Sequence, residues 1–118
     1  MKIAFYYKRQ QEKTWFNIAA ADEGFEVSYI KKDFNKESVS LAECFDAVCI
    51  SETDKIDNEI IDCIKKYGID AVLLRSDEIN FKDNINYSIL KNNGIIVIRV
   101  PANPTEKLIS QRWVSYLP

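Results

Sequence analysis

Histidine is absent from these 118 residues, and glycine, proline and cysteine occur only three times each. Without an imidazole there is no His-based metal site, no Ser-His or Cys-His nucleophile pair, and no histidine acid/base chemistry near neutral pH. Cys44, Cys49 and Cys63 are odd in number and never spaced as CxxC. That argues against a structural zinc and against a secreted disulfide framework, so no metal is expected. Cys49 lies inside the apolar run "DAVCIS" and reads as a small core residue. No run approaches the ~18 apolar residues of a membrane span. The opening "MKIAFYYKRQ" lacks a signal-peptide pattern, so a cytoplasmic protein with no membrane partner is expected. A basic stripe is missing as well. Net charge is −2 and the adjacent basic pairs are only Lys8-Arg9, Lys31-Lys32 and Lys65-Lys66, which argues against nucleic acid as a partner.

What is present is the make-up of a globular domain. Hydrophobic residues at 47% and charged residues at 29% in this length predict one domain over residues 1–118. Apolar, β-branched or aromatic runs at 2–7, 25–30, 46–51, 70–75 and 95–100 predict five strands. Between them, "QEKTWFNIAAADE" (11–23) carries Trp15, Ile18, Ala19 and Asp22 at helical spacing. "IDNEIIDCIKKY" (56–67) repeats Ile56, Ile60, Ile61 and Ile64, and "KDNINYSILKNN" (82–93) offers Ile85, Ile89 and Leu90. Stretch 36–44 reads as one short helix. The last segment, "PTEKLISQRWVSYL", sets Leu108, Ile109, Trp113 and Val114 on one side of a final helix. Strands alternating with helices predict an α/β fold: a flavodoxin-like, doubly wound, five-stranded parallel sheet with helices on both faces.

Gly24, Gly68 and Gly94 each stand between the end of an expected helix and the next strand, the position where a left-handed residue closes a helix. The loops after the strands, where α/β folds bind ligands, are then left without glycine. The first, "YKRQQEK", has a bulky side chain at every position, which disfavours a Rossmann fingerprint, a P-loop or a flavin phosphate site. Nor does the first strand end in the paired acids of a phospho-acceptor receiver. What these loops carry is Lys8 and Arg9; Lys31, Lys32 and Asp33; Ser51, Glu52, Thr53 and Asp54; Arg75, Ser76, Asp77 and Glu78; and Asn103. Arg75 ends a strand, where it either meets a carboxylate ligand or pairs with Asp77, Glu78 or Glu52. Glu52 and Asp54 either form an acid/base pair or lead into a helix with Thr53 or Asp54 as N-cap. Pro101 ends the last strand, and Asn103-Pro104 starts the next helix.

"CFDAVCIS", "CIKKYGIDAVLLR" and "KDNINYSILKNNGIIVIRVPANP" together resemble the substrate-binding ("catalytic") domain of the D-isomer-specific 2-hydroxyacid dehydrogenases, in particular the D-lactate dehydrogenases. The matching residues are Arg75, Asp83-Asn84-Ile85, Gly94-Ile95, Val97 and Val100-Pro101-Ala102. The resemblance has motif support from about residue 45 onward. It departs from the pattern at "SDEINFK", which is longer, acidic and glycine-free, and at Asn86, where the pattern has aspartate. The resemblance implies that Arg75, Ser76 and Asp77 would orient a 2-oxo or 2-hydroxy acid and that Asn103 would line the cleft. It also implies that the family continues, beyond the point matching Pro118, into an NAD-binding domain that supplies the catalytic arginine, glutamate and histidine. We therefore expect no catalytic residue and no cofactor site in this chain, and no dehydrogenase activity from it alone. The alternative is a flavodoxin-like interaction or regulatory module with no small substrate. Trp113, Val114, Tyr116 and Leu117 on the last helix would then face a second copy or a protein partner.

Overall fold

The computed structural model describes residues 1–14, 16, 24–76, 81 and 83–100. Among these residues the strands are β1 (Lys2–Tyr6), β2 (Glu26–Ile30), β3 (Ala47–Ser51), β4 (Ala71–Arg75) and β5 (Ile96–Val100). They form one parallel sheet in the order β2-β1-β3-β4-β5. That order reverses between β1 and β3, the switch point of a flavodoxin-like sheet. Each strand lies within one residue of its expected bounds.

Burial explains why the runs read as they do. β3 and β4 are central, covered on both faces, and therefore continuously apolar in "AVCI" and "AVLL". β2 is an edge, so exposed Glu26 and Ser28 alternate with half-buried Val27 and Tyr29. On one face Ala4, Tyr6, Val48, Ile50, Val72 and Leu74 pack with Ile60, Ile61, Ile64 and Leu90. On the other, Ile3, Phe5, Cys49, Leu73 and Ile98 pack with Phe16. Residues 10–14 and 16 are helical, so helical segments cover both faces. Trp15, Ile18, Ala19 and Asp22 lie outside the described residues.

Helix α1 (Asn58–Lys66) buries Ile60, Ile61 and Ile64. Its N-cap is Asp57, whose carboxylate accepts the Ile60 N–H at 3.0 Å, so the expectation of Thr53 or Asp54 is corrected. The reason is that Asp54 already accepts the Ser51 N–H at 2.9 Å and closes the preceding turn. Ile56 sits just outside the helix and joins Ile61 in the core, the staple arrangement that fixes a helix entry. At the other end Lys65 and Lys66 occupy the last turn, where positive charge suits the helix dipole. There the Ile69 N–H reaches the Ile64 carbonyl at 3.1 Å and the Gly68 N–H reaches that of Lys65 at 3.2 Å. Gly68 has φ +72°, as this closure demands.

Helix α2 (Ile85–Asn92) buries Leu90 but not Ile85, which is 70% exposed. Ile85 was expected on the apolar face; the buried residue in the first turn is Asn86 instead. Polar contacts to the β3 loop, described below, hold it there. Segment 36–44 contains a single 3-10 turn, Val39–Ala42. Among the described residues no helix is long and apolar enough to cross a membrane.

Candidate functional site at the strand tips

The ends of β1, β3 and β4 enclose a cavity of about 330 Å³, lined by residues that include Tyr7, Lys8, Glu12, Lys32, Glu52 and Arg75. It lies at the switch point, on the carboxyl side of the sheet, where ligands of α/β folds sit.

Arg75 is the last residue of β4 and only 5% exposed. Strand alternation puts it on the face of Phe5 and Cys49 rather than out in water. Its guanidinium carbon stands 4.5 Å from the Phe5 ring centroid. One terminal nitrogen donates to the Tyr6 carbonyl at 2.7 Å and to Glu12 Oε2 at 3.1 Å. The other donates to Cys49 Sγ at 3.3 Å. Arg75 thus ties the tip of β4, across β3, to that of β1. Its carboxylate partner among the described residues is Glu12 and not Glu52, while Asp77 and Glu78 lie outside the described residues. The other oxygen of Glu12 accepts the Arg9 N–H at 3.0 Å and the Lys8 N–H at 3.4 Å. Burial pushes the Cys49 thiol up to about 11, which fits a core residue and not a nucleophile.

The β3 loop is organised just as closely. Ser51 and Thr53 share a hydroxyl contact at 2.9 Å. Asn86 reaches in from α2: its amide nitrogen donates to the carbonyls of Asp54 and Glu52, and its oxygen accepts the Ile56 N–H at 3.3 Å. Asn84 also donates to the Glu52 carbonyl, at 3.3 Å. Burial holds the Asp54 carboxyl above its ordinary value, against the lowering effect of the Ser51 N–H and of Arg75. Glu52 and Asp54 do not face each other as an acid/base pair. Glu52 accepts the Ser76 hydroxyl at 2.7 Å, while Asp54 turns back on its own loop.

Of the expected acid-binding residues, Arg75 lines the cavity, and Ser76 is fully buried beside it. The Ser76 N–H continues the ladder to the Val100 carbonyl at 3.0 Å, and its own carbonyl accepts from Arg99 at 2.6 Å. Asp77 and Asn103 lie outside the described residues, as do Trp113, Val114, Tyr116 and Leu117 of the expected interface. Two residues at the site were not singled out from the sequence as functional. Glu12 had a signal, since it stands three residues after Arg9, the spacing of a capping box. Asn86 was marked only as a departure from the family pattern, because its partners are backbone groups of a distant loop and leave no spacing to read.

Comparison with known proteins adds family to geometry. A 2-hydroxyacid dehydrogenase homolog from Schizosaccharomyces pombe is 32% identical over 102 residues, which is 86% of this chain and 30% of that protein. The apo-structure of D-lactate dehydrogenase from Escherichia coli superposes with a TM-score of 0.72 at 28% identity, covering 86% of this chain and 31% of that one. The chain therefore spans about 30% of the length of the relatives it matches. D-lactate dehydrogenase from Lactobacillus jensenii, solved with NAD+, shares the fold at a TM-score of 0.64 and 23% identity. The glycines among the described residues of this chain, at φ +71°, +72° and +78°, all precede strands at the opposite edge, and the described strand-end loops offer only residues with side chains. The family description "D-isomer specific 2-hydroxyacid dehydrogenase, catalytic domain" matches residues 4–108. By that match, and by the fold that carries it, the chain belongs to the D-isomer specific 2-hydroxyacid dehydrogenase family.

Proposed function

We propose that this chain is a substrate-recognition module of a 2-hydroxyacid dehydrogenase and that it transfers no hydride by itself. The carboxylate of a 2-oxo or 2-hydroxy acid is received in the cavity at the strand tips, beside Arg75 at the end of β4. Arg75, Ser76 and Asp77 orient it, and Asn103 lines the cleft. The observation that carries this reading is Arg75 itself: a buried cation, fixed by strand and ring contacts, on the wall of the switch-point cavity. Hydride transfer in the family uses NAD and a histidine, and these 118 residues contain no histidine.

The test is thermal unfolding of the purified chain with millimolar lactate, pyruvate or oxamate, beside an assay of NADH oxidation with pyruvate. A ligand at a hundred times its Kd stabilises by about 2.7 kcal/mol, which is readily seen as a rise in Tm. The expected result is stabilisation by the acids without NADH turnover. Turnover would overturn the inactive assignment. No stabilisation, together with self-association, would replace acid recognition by the interaction module.

A further inference from the structure

The contacts around Glu12 form a set of donors that demands an anion. One carboxylate oxygen takes the N–H groups of Arg9 and Lys8, and the other takes Arg75 at 3.1 Å. The two sides of this contact differ in kind. Arg75 is fixed at the end of a central strand, stacked on Phe5 and bonded to the Tyr6 carbonyl. A buried guanidinium left unpaired is strongly destabilising, so some negative charge must always face it. Glu12 is 16% exposed, on the rim of a cavity that also carries Lys8 and Lys32. Lys8 is paired with Asp33 at 3.3 Å, whereas Lys32 has no ion-pair partner among the described residues.

We infer that Glu12 is the resident occupant of an oxyanion site, and that a small free oxyanion, carboxylate or phosphate, binds by taking its place on Arg75 and on the Lys8 and Arg9 amides. The released Glu12 side chain turns to solvent, and Lys32 offsets the extra charge of the incoming anion. Because the tethered carboxylate competes at a high effective concentration, the native chain binds such anions weakly. Glu12 is then a specificity-determining residue of the cavity. The inference shares Arg75 with the acid-recognition reading but does not need a 2-oxo acid as ligand.

The test compares wild type, Glu12→Gln, and Glu12→Gln combined with Arg75→Met, by thermal shift and amide NMR with acetate, inorganic phosphate and pyruvate. Acetate and phosphate are expected to bind Glu12→Gln about tenfold or more tightly than wild type, since they meet an unopposed buried cation. The double variant is expected to lose that gain. Equal response of wild type and Glu12→Gln, or a double variant that responds like the single one, overturns the inference. Should Glu12→Gln not fold, the wild-type titration decides: saturable shifts of the Lys8 and Arg9 amides support displacement, and unmoved amides overturn it. Pyruvate separates the two readings. A gain for acetate and phosphate with no preference for pyruvate keeps this site and sinks 2-oxo acid recognition. Stabilisation by pyruvate with no gain in Glu12→Gln does the reverse.

Discussion

The two edges of the sheet are built on opposite principles. At the edge where strands begin, connections are made by backbone and exposed carboxylates. The Lys2 N–H meets Asp46 Oδ2 at 2.7 Å, and the Asp70 N–H meets the Asp46 carbonyl at 2.9 Å. Gly68 and Gly94 turn the chain there with a left-handed φ and backbone hydrogen bonds. At the edge where strands end, polar groups go inside. Asp54, Arg75, Ser76, Asn86 and Arg99 are all buried near the tips of β3, β4 and β5. Burying such groups costs free energy unless every partner is in place, so a fold gains nothing by doing so merely to turn a chain. The difference separates two ways of building a sheet edge. One closes helices cheaply, while the other keeps costly charge in fixed positions around a cavity.

The sharpest way to break this contrast is to remove the charge. Arg75→Met takes the guanidinium from Glu12 Oε2 and from the Tyr6 carbonyl and should lower stability by about 3 kcal/mol in urea unfolding. A loss of a few tenths of a kcal/mol, as for surface ion pairs, would mean that the tips are wet and the two edges alike. Asn86→Asp comes next. Aspartate cannot donate to the Glu52 and Asp54 carbonyls, and its charge would sit where Asn86 is 2% exposed. The expected cost is about 2 kcal/mol near neutral pH. An unchanged urea midpoint would show that α2 does not hold the β3 loop.

The two edges were not equally legible in the sequence. The strand-start edge was readable because glycine at a helix end reports a backbone requirement, and position alone places Gly68 and Gly94. The strands were readable because β3 and β4 are covered on both faces and so cannot alternate with polar residues. The strand-end edge was half legible. Arg75 stood out as a cation at the end of an apolar run, but its partner Glu12 is 63 residues away, and only the sheet order brings β4's tip to that of β1. Ile85 misled because an apolar residue in helical period reads as core, whereas the first turn of α2 is set by the amide of Asn86. Long-range polar contacts leave no period behind. That is why the fold could be read further than the site.

Smaller effects sharpen the contrast from its other side. At Gly68 a Cβ would meet nothing within 4 Å, so Gly68→Ala pays only for φ +72°. The expected loss is about 1 kcal/mol with no effect on ligand binding, which marks the strand-start edge as purely structural.

Asp54 gives the finest test, through pH. Burial raises its carboxyl above the ordinary 3.8, so the folded chain holds this proton more tightly than the unfolded chain does. Ionised Asp54 therefore costs stability above its folded pKa. That cost fades as pH falls through the folded value and is gone below 3.8. Asp54→Asn keeps an oxygen for the Ser51 N–H at 2.9 Å but has nothing to ionise. Urea unfolding should show the variant ahead of wild type near neutral pH, with its lead shrinking on acidification. A lead that does not change with pH would mean that water reaches the Asp54 carboxylate. The strand-end edge would then be set apart by Arg75 and Asn86, and not by dryness along the whole β3 loop.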